Sequence, residues 1–243
     1  MPSERLIVDS DYTVRDQERM ADAENYFEWQ AGITKCQLGR RVLEIGCGVG
    51  NFTRHLVDRE LVAGIDVDAD CIAKAKDRFR DCGNIVHRHL DVMDEAFGTL
   101  RAHNFDSVVC LNVLEHVQDD QLALANMASI LPVGGKVVLL VPAFSGLYGP
   151  IDRHLGHYRR YSKRSLRETA MKSGFVAEKL RYMNFIGFFG WWCNARIFKK
   201  QEQSSGQIAI FDRLIVPIQS RIENAMSPPF GQSLFAVLVK ATE

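Results

Sequence analysis

The sequence predicts an α/β fold built on a parallel sheet, and three observations carry that reading. Short apolar runs alternate with longer segments of helical period from about residue 41 to 182, which is the pattern of repeated βα units. The first run ends in a glycine-rich turn, VLEIGCGVG at 42–50, and the second ends on an acid, Asp66. With 243 residues, 47% hydrophobic and 25% charged, the chain has the composition of one main soluble domain, or of a large core with a small addition.

Strands are expected at 41–45, 61–65, 84–87, 105–110, 136–141 and 175–182, with helices at about 51–58, 69–80, 119–131 and 163–173. LPVGG at 131–135 supplies a helix stop and a tight turn into KVVLLV, a run suited to a strand buried on both faces. Ser162 is a plausible N-cap for the helix that follows it. Before the first strand, 16–35 reads as one helix carrying Tyr26, Phe27 and Trp29. Residues 1–40 therefore form a helical cover for the open edge of the core or for its site. The segment 183–231 departs from the alternation: it begins MNFIGFFGWWCNARIFKK, passes through polar QEQSSGQ and closes on SPPFG. SLFAVLVK then returns to strand character, so 41–182 plus 232–243 make the core and 183–231 an aromatic-rich insertion.

Thirty basic residues balance thirty acidic ones, which gives no global reason to expect nucleic acid or an anionic membrane as a partner and makes electrostatic recognition local. The clearest locality is RHLGHYRRY at 153–161. It lies in a segment, 152–172, with seven Lys or Arg against two acids. The six cysteines, at 36, 47, 71, 82, 110 and 193, form no CxxC pair and no disulfide framework. The start MPSERLIVDSDY lacks the features of a secretory signal, and no run approaches the roughly 20 apolar residues of a span. A cytoplasmic, non-transmembrane protein is the expectation.

The glycine turn lets a ligand approach the backbone closely. Asp66, 20 residues beyond Gly46, stands where an acid accepts hydrogen bonds from ribose hydroxyls. That context suits dinucleotides and S-adenosylmethionine alike, and the spacing separates them. Gly46, Gly48 and Gly50 make GxGxG where a dinucleotide turn is GxGxxG. Glu44 also precedes the turn; a carboxylate gains nothing from a pyrophosphate and gains from a ligand with an ammonium and a sulfonium.

Taken as a set, VLEIGCGVG, GIDVD, LDVMD, FDSVVCLNVLEHV and LPVGGKVVLLVPA resemble the successive motifs of class I S-adenosylmethionine-dependent methyltransferases. The resemblance covers about 40–182 and implies a Rossmann-like, seven-stranded, mostly parallel sheet whose last strand is antiparallel, supplied by 233–240. It implies S-adenosylmethionine as cofactor, with Glu44, Gly46 and Gly48 around the methionine part and Asp66 on the ribose. Val67 would pack on the adenine, Asp91 and Val92 would flank its amino edge, and Asn112 would sit below the transferred methyl. Cys47 lines the same turn as a small filler; with glycines beside it and no adjacent base, it is not read as a nucleophile. His116, in LNVLEHV, is read as structure at a helix start.

In such a fold the loop after the fifth strand faces the reacting methyl, and here that loop is 142–161. The basic run thereby becomes a candidate acceptor site. His157 and His154 are the candidate general bases, required for a hydroxyl acceptor and dispensable for a carboxylate. Tyr26, Arg153, Tyr158 and Arg159 are the candidate substrate-binding residues, the arginines orienting an acidic group. No metal is assigned, because a set of His154, His157 and Asp152 lacks a fourth ligand nearby. GHYRRYSKRSL and PFGQSL resemble a broad group of bacterial methyltransferases of small or lipid-like molecules, to which ubiquinone-type O-methyltransferases are more distantly related.

The aromatics Phe185, Phe188, Phe189, Trp191, Trp192 and Phe198 are compatible with a core or homodimer contact, an apolar acceptor pocket, or peripheral contact with a membrane. The expected activity is methyl transfer to a small molecule, with an oxygen of a partly apolar, anionic or lipid-like acceptor favoured over nitrogen or carbon. Its rivals are a nicotinamide-dependent oxidoreductase and a non-catalytic methyltransferase-like binding protein. RNA is disfavoured by the neutral charge and by the lack of an added binding module.

Overall fold

A computed structural model describes residues 10–194 and 205–242. Phe198 and Arg196 of the aromatic segment lie outside the described residues. The strands β1 (Arg41–Ile45), β2 (Leu61–Asp66), β3 (Ile85–His89), β4 (Ser107–Leu111), β5 (Lys136–Pro142), β6 (Phe175–Met183) and β7 (Ser233–Lys240) form one sheet in the order β3-β2-β1-β4-β5-β7-β6. β7 runs antiparallel to β5 and β6, and the other pairings are parallel. The strand order reverses between β1 and β4. Their carboxyl ends therefore flank a topological switch point, where open sheets of this kind bind ligands.

Burial follows from the sequence of the central strands. Along β5, Val137, Leu139 and Val141 enter one core cluster while Val138 and Leu140 enter the other, so the strand is apolar on both faces, as parallel centres require. β7 repeats the division, with Leu234, Ala236 and Leu238 on one face and Phe235 and Val237 on the other. Helices α3 (Ala69–Arg78), α4 (Asp120–Ile130) and α6 (Lys163–Lys172) complete the crossovers. Each begins on a side-chain cap: Asp68 for α3, Asp119 for α4, and Ser162, whose Oγ accepts from Ser165 N at 3.0 Å, for α6.

Two expected helices take a different form. The segment 51–58 contains only a short 3-10 turn, Thr53–His55. The backbone there closes three-residue bonds, His55 N to Phe52 O and Leu56 N to Thr53 O, both at 2.9 Å. Asn51 and Thr53 are meanwhile tied elsewhere, to Gln17 O and Glu44. The N-terminal helix is two helices, α1 (Ser10–Met20) and α2 (Glu24–Thr34), because the start of α2 is capped from far away. Asp212 accepts from Asn25 N at 3.2 Å, Asn25 Nδ2 at 3.0 Å and Tyr26 N at 2.8 Å.

Asp212 belongs to the insertion, which carries α7 (Phe185–Trp192), α8 (Ser205–Ile210), a π-helical turn Phe211–Ile215 and α9 (Val216–Ala225). Its second buried acid, Glu223, accepts from Asn184 N at 2.9 Å and Phe185 N at 2.8 Å, and so caps α7. Carboxylates at helix N-termini meet unpaired N–H groups and the positive end of the helix. One helical insertion thus fixes both the N-terminal cover and the aromatic helix over the sheet. Trp29 Nε1, donating to Asn224 Oδ1 at 3.1 Å, adds a further tie.

Candidate active site

A cleft of about 2360 Å³ opens over the carboxyl ends of the strands. It is well above the roughly 300–1,000 Å³ of an ordinary small-molecule pocket. One half is built by the turns after β1, β2 and β4, and the other by the loop after β5 together with α2, α7 and the insertion.

In the first half, Gly46 and Gly48 have φ of 73° and 51°, backbone that a side chain rarely adopts. A Cβ on Gly46 would also collide with Val113. Gly48 N donates to Asp66 Oδ2 at 2.8 Å and Asp68 N donates to Asp66 Oδ1 at 3.0 Å, so the acid at the end of β2 is locked to the turn after β1. Burial raises the pKa of Asp66 against those two N–H bonds. Glu44 is 4% exposed and its Oε2 accepts from Thr53 Oγ1 at 2.6 Å. Burial pushes its carboxyl up to about 8, with the nearby charge of Asp66 adding to the effect and the Thr53 bond opposing it. A buried acid and a half-buried one in the same recess favour a cationic ligand over an anionic one.

Val67, exposed at the rim, Asp91, Val92 and Asn112 line the same half. Asp91 holds the turn after β3 by accepting from Met93 N at 2.9 Å, and Val92 also belongs to the core. Asn112 has a left-handed φ of 55° and donates its backbone N–H to Leu140 O at 2.7 Å. Cys47 lines the turn, is buried, and packs beside Gly64. Burial raises its thiol pKa and the charges of Glu44 and Asp66 raise it further, which suits a structural thiol.

In the second half, the loop after β5 leaves and rejoins the same strand end. Tyr161 N donates to Pro142 O at 2.8 Å and Phe144 N to Tyr161 O at 2.9 Å, while Phe144 itself takes φ 61°. The loop contains a short helix, α5 (Pro150–His154), and its interior is polar. Asp152, 0% exposed, accepts from Gly149 N at 2.9 Å, from Arg160 Nε at 2.8 Å and from His157 Nδ1 at 2.9 Å. Burial alone would raise its pKa; the His157 bond and the Arg160 charge bring it below the usual carboxylate range. An ionised Asp152 can only accept, so Nδ1 of His157 is the donor in this bond and Nε2 is the ring nitrogen left for another partner.

The sequence expectations divide here. His157, Arg153, Tyr158 and Tyr26 line the cleft. His154 is exposed and Arg159 half-buried, and both lie outside the lining. Arg159 reaches Asp120 at 3.1 Å and also bonds Gln118 O at the surface.

Two residues given little weight from sequence, His116 and Glu115, converge on His157. Its ring lies edge-on to His116 with centroids 4.6 Å apart. Glu115 joins them, the three offering ligand-type atoms within 4.8 Å of one another. Glu115 is 1% exposed and its Oε2 has no hydrogen-bond partner; burial raises its carboxyl to about 8, opposed by its own backbone and Arg160. His116 is exposed to the cleft, and desolvation by the surrounding walls together with the neighbouring His157 lowers its pKa. Arg160, 6% exposed, also stands on the cleft wall, with its guanidinium 4.5 Å over the Trp191 ring. The LEH sequence after β4 was the available signal for Glu115 and His116; nothing local marked their meeting with 157.

Comparison with known proteins bears on this site. A family model described as a methyltransferase domain matches residues 15–180. The ubiquinone biosynthesis O-methyltransferase of Aromatoleum aromaticum is 34% identical over 100 residues, 41% of this chain and 42% of that protein. The match spans under half the length of the curated relatives. Among solved structures, the YcgJ protein of Bacillus subtilis superposes with a TM-score of 0.59 at 14% identity, over 89% of this chain and 98% of that one. A geranyl diphosphate C-methyltransferase from Streptomyces coelicolor A3(2), in complex with Mg2+, geranyl diphosphate and S-adenosyl-L-homocysteine, gives 0.60 at 14% identity, over 87% and 77%. These structural likenesses establish the Rossmann-like fold.

Proposed function

The chain belongs to the methyltransferase-domain family, the class I S-adenosylmethionine-dependent type that its motifs resemble, and we propose that it transfers a methyl group from S-adenosylmethionine to an oxygen of a small, partly apolar acceptor. The observation that carries the reading is the pair of carboxylates, buried Glu44 and half-buried Asp66, beside a turn that admits no side chain at Gly46. Glu44 would meet the cationic methionine end and Asp66 the ribose hydroxyls. Val67, Asp91 and Val92 would hold the adenine, and Asn112 would stand below the methyl.

When bound, S-adenosylmethionine supplies an electrophilic methyl carbon whose bonding electrons return to sulfur as the acceptor oxygen takes the methyl. The chain's own task is alignment and proton removal. His157, oriented by Asp152, would receive the acceptor's hydroxyl proton at Nε2. Tyr26, Arg153 and Tyr158 would frame the acceptor, against the apolar side formed by Ile186, Phe189 and Trp191. Glu115 and His116 lie against His157, and we assign the cluster to proton handling beside the acceptor.

The acceptor side also carries a feature that supports peripheral contact with an anionic membrane. Ile210, Leu214, Ile218, Ile222 and Met226 follow one another at four-residue spacing and are 57–70% exposed. Of the four charged residues in 205–226, Asp212 and Glu223 are buried while Arg213 and Arg221 are exposed. An apolar stripe whose exposed charged residues within 205–226 are both arginines fits an anionic lipid surface better than a second copy, which would oppose arginine to arginine. No helix among the described residues is long and apolar enough to cross a membrane.

The functional reading is tested by incubating the protein with S-adenosylmethionine and a panel of hydroxylated, carboxylated and amine acceptors and following S-adenosylhomocysteine. Release that depends on a hydroxyl acceptor supports it. A panel without turnover, from protein that binds the cofactor, favours a binding protein instead.

A further inference from the structure

Arg160 spends two of its three guanidinium nitrogens inside the loop. Nε donates to Asp152 Oδ1 at 2.8 Å and Nη1 to Ala143 O at 3.1 Å. Nη2 is buried and has no hydrogen-bond partner. The indole stacked against this guanidinium is in the same condition: Trp191 is 7% exposed and its Nε1 is buried without an acceptor. Both side chains line the acceptor half of the cleft, one from the loop after β5 and one from α7.

Buried donors without partners are uncommon and costly, at roughly 1–3 kcal/mol each. Two of them side by side on a cleft wall describe a place where an acceptor atom is missing. Their orientation is fixed from behind. Asp152 holds the guanidinium edge, and Trp191 packs with Leu147, Ile151 and Phe188 on a helix whose start is capped by Glu223. A preset pair of this kind binds with little ordering cost.

We propose that Arg160 Nη2 and Trp191 Nε1 form a carboxylate-binding subsite for the acceptor. The assignment rests on the methyl-transfer reading only in naming the occupant as the acceptor. The chemistry comes from the donors: one charged and one neutral N–H, from different side chains, suit the two oxygens of a planar monoanion. Asp152 already matches one charge of Arg160, which leaves a dianion such as a phosphate monoester poorly compensated, while Arg153 on the same wall adds one cation. The carboxylate bound here is an anchor. With Arg160 and His157 both held by Asp152, an acceptor pinned at the arginine presents its neighbouring hydroxyl to the imidazole.

The test uses benzoate as probe, with benzamide as its uncharged isostere, on the full chain without S-adenosylmethionine, so that its failure and a failure of cofactor binding are separate results. The indole N–H resonance of Trp191, identified by its loss in Trp191→Phe, should shift saturably with benzoate. Calorimetry should show benzamide weaker than benzoate, and Trp191→Phe, which keeps the ring over the guanidinium, should lose about fivefold or more in benzoate affinity. Arg160→Lys, which retains a charge for Asp152, should lose at least as much. The proposal is overturned if no saturable shift occurs, if benzamide binds as well as benzoate, or if Trp191→Phe binds benzoate as the unaltered protein does.

Discussion

His157 Nδ1 lies 2.9 Å from Asp152 Oδ1, at the bottom of a loop whose two ends are bonded to each other beside the fifth strand. The contact fixes the orientation of the imidazole that we propose as the base. His154 is exposed and lies outside the cleft lining, so the two histidines of RHLGHYRRY separate by geometry into one inside the site and one outside it.

Replacing His157 by alanine should lower turnover on a hydroxyl acceptor by about 10²–10⁴-fold and leave cofactor affinity nearly unchanged. Asp152→Asn should also lower turnover, because the amide no longer forces the proton onto Nδ1. Steady-state kinetics with separate cofactor titrations would check this. Full activity in His157→Ala would remove it as base and point to an acceptor that needs none.

Asp66→Ala should weaken S-adenosylhomocysteine binding by about 10- to 100-fold, the loss of a charged hydrogen-bonding group at the ribose. Gly48 N and Asp68 N lose their acceptor in the same variant, so a thermal melt should accompany the titration. Unchanged affinity in folded protein would take Asp66 out of the cofactor site.

Glu44 predicts a pH dependence with a definite sign. Its carboxyl is raised to about 8 in the ligand-free protein, and a cationic ligand prefers it ionised. Cofactor affinity should therefore rise from pH 6 to pH 8, by at most about tenfold per unit, with proton release on binding. The ligand-free protein should behave oppositely. Between the ordinary carboxylate range and pH 8 the folded state holds a proton that the unfolded chain has released, so this group's contribution to stability declines as pH rises. A flat affinity profile that Glu44→Gln does not alter would contradict the assignment.

The exposed stripe predicts co-sedimentation with vesicles containing phosphatidylglycerol, weakened by salt and lost in Leu214→Asp with Ile218→Asp. Equal binding to neutral phosphatidylcholine would leave Arg213 and Arg221 without a role. Absence of vesicle binding in protein that runs as a dimer would give the stripe to a second copy.

The sheet was legible because its strands are written locally: VVLLV at 137–141 and LFAVL at 234–238 are apolar at every position and lie buried on both faces. The glycine turn and Asp66 were legible for a related reason, since a spacing of 20 residues spans a single βα unit. What stayed hidden depends on distant partners. The break between α1 and α2 follows from a cap at Asp212, 187 residues beyond Asn25. The grouping of Glu115 and His116 with His157 joins the turn after β4 to the loop after β5, and Arg160 meets Trp191 through a helix whose cap comes from the insertion. The helix expected at 51–58 failed for a local reason, because the chain there closes 3-10 bonds beside a turn of three left-handed glycines.

Calorimetry of the full chain with S-adenosylhomocysteine and, separately, with NAD bears most directly on the whole account. Saturable heat with S-adenosylhomocysteine and none with NAD is the predicted result. Heat with NAD and none with S-adenosylhomocysteine would contradict it.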